Sequence, residues 1–438
     1  MVSTLHRSNQ TFPKAEIIQL PTLFCIMNSV LKISRCFQPV LRHYSLRTKF
    51  DQKLSRHLEA KIKFSGPLTV YEYMKEALTN PVSGYYMKGS VFGSTGDFIT
   101  SPQISQVFGE LIAVWIYNEW HKMGAPSPLK LIELGPGTGT LIMDIVRTLK
   151  QLKIRPTDIQ LHLVEKSTHL STVQDRNICQ KEVDSFNAIP STLEETYRMS
   201  STKDGVEVRW HYDFSYVPEG FSFTLAHELF DALPIHKFKK TESGWREVLI
   251  DFHDDKFRYV LSNNETPASK VLVREDEPRS ELEVCPEAAV LAQRISDRVA
   301  MQGGGALIID YGHDGTRSDT FRAFRGHKQV DPLEDPGSSD ITADVDFSML
   351  RQCAGKHTLA FGPVDQRDFL LNMGIEVRMK RLMEKKTSEE RIAIEGRCAR
   401  LIDPSGMGTQ YKFMAFLPKV MKPVLDKLPP AGFKSLEL

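Results

Sequence analysis

A chain of 438 residues that is 41% hydrophobic, 25% charged and carries a formal net charge of +1 has an ordinary globular composition, which excludes a disordered chain and gives no sign of a nucleic-acid partner. Its length predicts two to three domains of roughly 150 residues, or one large elaborated domain. The six cysteines, Cys25, Cys36, Cys179, Cys285, Cys353 and Cys398, stand without C-x-x-C or zinc-finger spacing, and no uncharged apolar run is long, so reduced thiols, no metal site and no membrane insertion are expected.

The first fifty residues carry Arg7, Lys14, Lys32, Arg35, Arg42, Arg47 and Lys49 against one acid, Glu16. From Met27 the text MNSVLKISRCFQPVLRHYS spaces apolar and basic residues as an amphipathic mitochondrial transit peptide does, which predicts a presequence over 1–44 and a matrix location. A disordered basic tail is the competing reading. Residues 45–128 are expected to form an amino-terminal cap: a charge-rich helix to Ile62, a helix in TVYEYMKEALT, a glycine-rich loop ending in GDFITSP, and a helix in QVFGELIAVWIYNEW buried on its Phe108, Ile112, Trp115 and Ile116 side.

From Leu129 strand and helix patterns alternate, which predicts an α/β core over 129–420 with a parallel sheet covered on both faces. LKLIEL, IQLHLVE, VEVRW, FSFTLAHE and GGGALIIDYG read as its buried strands, and HTLAFGP and YKFMAFLP as two more. The segment 235–285 breaks the alternation with strand-like pieces joined by turns, so a β-rich insertion is expected there. Residues 421–438 read as a carboxyl-terminal tail.

The stretch LIELGPGTGTLIMDI sets Gly135, Gly137 and Gly139 at alternate positions between the first strand and the next helix. Such glycines let the backbone turn sharply and approach a ligand. A dinucleotide loop reads G-x-G-x-x-G, and here the third glycine comes one place early. Glu133, at the strand's mouth, suits a ligand with positive charge, so S-adenosylmethionine, with its ammonium and sulfonium, fits better than a phosphate-bearing NAD. Glu165, ending the next strand, is placed to accept hydrogen bonds from ribose hydroxyls, a feature NAD enzymes share. It could also merely cap a helix.

The fourth strand ends in AHELFDALPIHKF, beyond the carboxyl edge where an open parallel sheet binds its ligand. His227, Glu228 and Asp231 cluster there as candidate catalytic residues. Paired carboxylates match the fork of a guanidinium, which arrives protonated, and one acid or His227 would then take a proton. Asp310, Asp340, Asp344 and Asp346 are further acids that could hold substrate, although a solvated acidic loop explains them almost as well.

Taken together, GPLTVYEYMKEALTNPVSGYY, GDFITSPQISQVFGELIAVW, LIELGPGTGTL, LAHELFDALPIHKF, GWREV, VCPEA, DYGHDG and DITADVDFS, in order from Gly66 to Pro418, resemble the mitochondrial NADH dehydrogenase (complex I) assembly factors with arginine methyltransferase activity, whose relatives include MidA. The resemblance implies a class I, Rossmann-like, seven-stranded methyltransferase using S-adenosylmethionine. It implies as acceptor an arginine of a complex I core subunit, symmetrically dimethylated in the matrix. Carried over as cofactor contacts are Glu133, Gly135, Gly137, Gly139 and Glu165, with Asp97, Thr100, Ser101 and Pro102 in a loop closing over them. Gln103 departs from the family's glutamate, and His227 from the asparagine of bacterial members, so Glu228 and Asp231 rank above His227. The alternatives from other classes are a non-catalytic complex I assembly chaperone on a retained methyltransferase fold, a small-molecule methyltransferase and, more distantly, an NAD dehydrogenase.

Overall fold

The computed structural model describes residues 48–87, 100–180 and 196–433, with side chains from Leu54 onward. The presequence expected over 1–44 and the carried-over Asp97 lie outside the described residues.

The central sheet has eight main strands. They are β1 (Leu129–Leu134), β2 (Ile159–Val164), β3 (Arg198–Ser201), β4 (Glu207–His211), β5 (Ser222–His227), β6 (Gly304–His313), β7 (Thr358–Asp365) and β8 (Tyr411–Pro418), in the spatial order β7-β8-β6-β5-β1-β2-β4-β3. The pairs β1/β2, β2/β4, β1/β5 and β5/β6 are parallel. β8 enters antiparallel between β6 and β7. Seven of these strands form the expected Rossmann-like sheet, and β3, whose RMSS text has no apolar alternation, adds an antiparallel edge.

Alternation along the strands divides the core between the two faces, as a period of two requires. Leu131, Leu161, Phe223, Leu225, Leu307, Ile309 and Phe413 pack under the helices Gln106–Lys122 and Thr140–Gln151. Ile132, Ala226, Ile308 and Met414 face the helix Pro286–Gln302. With both faces covered, the strands read as apolar runs rather than clean alternation, and every residue of β5 is buried.

The β-rich insertion is a five-stranded sheet built from Leu68–Thr69, His236–Thr241, Gly244–His253, Lys256–Leu261 and Glu281–Val284. The helix Val70–Thr79 starts on a capping box: Glu72 N–H donates to Thr69 Oγ1 at 3.0 Å, and Thr69 N–H to Glu72 Oε2 at 2.9 Å. Leu68 pairs with Ile250, and Leu58, Tyr73, Ile235 and Ile250 share one apolar cluster, so the amino-terminal helices pack on the insertion. A three-stranded sheet of Arg322–Arg325, Lys328–Val330 and Asp340–Thr342 was not foreseen. Among the described residues Cys285, Cys353 and Cys398 are free thiols, and no helix is long and apolar enough to cross a membrane.

Candidate active site

Strand order reverses at β1, which has β2 on one side and β5 on the other. This is the switch point where open α/β sheets bind ligands. The loop leaving β1 has Gly135, Gly137 and Gly139 at φ of 64, 54 and 83°. A Cβ on Gly137 would meet nothing within 4 Å, so that position faces open space, whereas one on Gly139 would lie 2.9 Å from Ile178 Cδ1. Gly139 also caps the helix Thr140–Gln151.

Glu133, only 3% exposed, adjoins the backbone of Ile142 in the first turn of this helix, and its Oε2 has no partner. Burial pushes its pKa up to about 8. The orphaned oxygen is an unmet valence. An ammonium reaching that oxygen would restore the ionised form.

Glu165 closes the other side of the cradle. Its Oε1 accepts from Ser167 N–H at 2.7 Å and its Oε2 from Gln174 Nε2 at 3.1 Å. The same Gln174 nitrogen donates to Gly137 O at 2.8 Å, and Trp210 Nε1 holds Gln174 Oε1 at 2.9 Å. Burial pushes Glu165 up to about 7 against these hydrogen bonds. Helix capping belongs to Ser167, which accepts from Leu170 N–H, so the simple capping reading of Glu165 does not describe it. Gln174 could not be found from the sequence: it lies mid-helix, and only the fold brings it to the loop.

Beyond β5 the chain turns through His227, Glu228 and Asp231. Glu228 adopts φ 50°, a left-handed conformation that costs a side-chain-bearing residue energy. Asp310, fully buried on β6, holds the turn: its Oδ2 accepts from the N–H groups of Leu229, Phe230 and Asp231 at 3.1, 2.9 and 3.3 Å. Asp310 therefore shapes the turn from beneath instead of facing substrate.

Two tyrosines, opposite one another across β6 and β8 with rings 5.4 Å apart, serve the acids. Tyr411 stands beside Glu228 and Tyr311 beside Asp231, each hydroxyl favouring the ionised form of its acid. The backbone of Ser101 also adjoins Glu228, which brings the carried-over segment to the site. Thr100 N–H donates to Gln103 Oε1 at 3.3 Å, so glutamine performs the helix-start role at position 103. Glu228 Oε1 and Asp231 Oδ1 have no hydrogen-bond partner. Burial and mutual repulsion push Glu228 up to about 8, and burial pushes Asp231 up to about 6.

His227 Nε2 stands 3.3 Å from Glu228 Oε1 without hydrogen-bond alignment. Its ring packs edge-on against Phe108, and burial holds its pKa down to about 3. It stands in its neutral form beside the acids. Asp340 accepts from Tyr86 Oη at 2.7 Å, Asp344 is held by Arg317 and Arg322 at 3.0 and 2.6 Å, and Asp346 caps the helix Phe347–Cys353. Arg322 lies 5.1 Å over the Tyr311 ring and is the cation that acts on Asp231. The tyrosines and Arg322 carried no local sequence signal, because each becomes functional only through sheet register.

Residues 111–363 match the family model described as "Putative S-adenosyl-L-methionine-dependent methyltransferase". The chain is similar to the zebrafish (Danio rerio) protein named protein arginine methyltransferase NDUFAF7, mitochondrial, at 44% identity over 94% of this chain and 100% of that protein. The human protein of the same name is 47% identical over 83% of each chain. A crystal structure of a Burkholderia thailandensis protein bound to S-adenosyl-homocysteine shares the fold, with a TM-score of 0.69 at 22% identity over 88% of this chain and 94% of that one.

Proposed function

Because this chain belongs to the family of S-adenosylmethionine-dependent methyltransferases that includes the mitochondrial NDUFAF7 protein arginine methyltransferases, we propose that it methylates an arginine of a protein, and that the acceptor is a core subunit of complex I, symmetrically dimethylated in the matrix. The observation that carries the arginine reading is the pair of partnerless carboxylate oxygens, Glu228 Oε1 and Asp231 Oδ1, on one turn beside the cofactor cradle. The complex I subunit and the symmetric product rest on the motif resemblance. The matrix rests on the basic amino-terminal stretch and on relatives whose names place them in mitochondria.

The cradle fits S-adenosylmethionine, which supplies an electrophilic methyl group on a sulfonium. Glu133 Oε2 would receive the ammonium, Glu165 the ribose hydroxyls, and the open space at Gly137 would let the backbone approach the ligand. Ser101 adjoins the acids, and with Thr100 and Pro102 it would contact the cofactor. Glu228 and Asp231 grip the guanidinium, localise its charge away from the attacking nitrogen and align that nitrogen with the methyl group. Glu228, with its pKa near 8, then takes the proton.

The pH dependence follows from the same groups. Neutral Glu228 and Asp231 cannot pair with a cation, so acceptor affinity should rise with pH through the window from about 6 to about 8. Stability of the free enzyme should run the other way. The folded state keeps protons that the unfolded chain has shed, so these groups weaken the fold as pH rises from the usual carboxylate range to about 8. KM for an arginine peptide measured from pH 6 to 8.5 should fall. A flat or rising profile would contradict ionisation-linked gripping.

The function itself is tested by incubating wild-type protein and Glu165→Ala with labelled S-adenosylmethionine and mitochondrial proteins from cells lacking this gene product. Label on an arginine of a complex I subunit, with wild type only, is the expected result. Label on another protein or on no protein would overturn the assignment of acceptor.

A further inference from the structure

Glu165 is fixed at its backbone and at its carboxylate by different groups. Its N–H donates to His211 O at 2.9 Å, and its carbonyl accepts from Tyr197 Oη at 3.0 Å. The side chain is held separately, Oε1 by Ser167 N–H and Oε2 by Gln174 Nε2. An ionised carboxylate offers about four acceptor sites, so sites remain for a ligand's hydroxyls, and their direction depends on how the carboxylate is turned.

Gln174 is fully buried in the helix Thr168–Cys179 and has no donor left for a ligand. Both hydrogens of its Nε2 are spent, on Gly137 O at 2.8 Å and on Glu165 Oε2 at 3.1 Å. Trp210 Nε1 donates to its Oε1 at 2.9 Å. Because an indole N–H only donates, it determines which end of the amide faces Glu165. The same helix face reaches the glycine loop one turn on, where Asn177 Nδ2 donates to Thr138 O at 3.0 Å and Ile178 Cδ1 would lie 2.9 Å from a Cβ on Gly139. With the loop braced at those further places, the distinct contribution of Gln174 is its bond to the carboxylate.

We propose that Gln174 is a positioning residue for the cofactor's ribose: its bond to Oε2 turns Glu165 so that the carboxylate meets the ribose hydroxyls, and the site thereby selects a ribose over a sugar that lacks them. The inference rests on the reading of Glu165 as the ribose acceptor, and deepens it by naming the group that aims the carboxylate. The same bond favours the ionised acid, the stronger acceptor. A site built to bond hydroxyls rejects an analogue without them, because its buried polar groups are then left unpaired. A misdirected carboxylate loses that discrimination and leaves contacts to the rest of the ligand as they were.

The test measures, by calorimetry on the full chain, Kd for S-adenosylhomocysteine and for its 2′,3′-dideoxyribose analogue. Wild type should prefer the ribose ligand by about thirtyfold or more, and Glu165→Ala by less than about threefold. Gln174→Met should cut the wild-type preference by about tenfold or more, while Kd for the dideoxy ligand stays within about threefold of wild type. Methionine leaves Trp210 Nε1 unpaired, so the double variant Gln174→Met/Trp210→Phe, which removes that donor, is measured beside it and should show the same loss. Both ligands meet the same folded fraction, so lowered stability cancels from the ratio. An unchanged preference in either folded variant overturns the proposal, and so does equal weakening of both ligands, the result a loosened glycine loop would give. A preference that wild type lacks, or that Glu165→Ala retains, strikes the ribose reading itself and this inference with it, and is seen before any Gln174 variant is measured.

Discussion

Glu228→Gln should lose transfer by about two to three orders of magnitude in kcat while S-adenosylmethionine binds as before. The amide has the shape of the acid and keeps Tyr411 and the Ser101 backbone as neighbours, and the turn stays held by Asp310. What changes is the oxygen that faces no partner, Oε1. It becomes part of a neutral group that can neither balance a guanidinium nor take its proton. Because the acid is a buried group whose ionisation is disfavoured, with a pKa near 8, its neutral substitute should leave thermal stability equal or slightly raised above that pH, the usual direction when a functional charge is removed. Single-turnover rates, cofactor calorimetry and a melting curve on one preparation decide the matter. Full transfer by Glu228→Gln would remove this residue from the mechanism and leave Asp231 as the group to test.

Gly137→Val should reduce cofactor affinity by more than about a hundredfold, a loss of roughly 2.7 kcal/mol or more. Two causes act together. At φ 54° a β-branched side chain is strained, at a cost of about 1–2 kcal/mol. The added carbon points into space where the protein places no atom within 4 Å, so the remaining loss falls on whatever ligand fills that space. Gly139→Val is the informative contrast. Its Cβ would press on Ile178 at 2.9 Å, so it should lower the melting temperature as well as affinity. Undiminished binding by Gly137→Val in titration calorimetry would contradict the cradle assignment.

Much of this design is written locally. The apolar strands of an α/β core, the three glycines and the acids at the ends of β1, β2 and β5 each lie within a few residues of the feature that announces them, so pattern reading reaches them. Other parts are set by distance in the chain. Gln174 ties the glycine loop to Glu165 only after helix and strand are packed, and Tyr311 meets Tyr411 only through the register of β6 with β8. Asp310 was legible as an acid near a strand end, but its work is to satisfy three backbone N–H groups on the neighbouring strand's turn. The strand β3 escaped because RMSS lacks apolar periodicity: it is an edge strand held by backbone pairing and by Arg198, which donates to Ser171 O and Thr172 Oγ1.

The position of β8 has a consequence for the order of events in the life of the molecule. This strand is the last of the sheet to be synthesised, yet it is wedged between β6 and β7 and carries Tyr411 to Glu228. Pairings between such remote segments form late and slowly. A polypeptide still emerging, or one clipped ahead of Tyr411, lacks a buried inner strand of the sheet and cannot finish the reaction centre. Catalysis is thereby tied to completion of the whole domain, and half-made copies stay silent without any separate inhibitor.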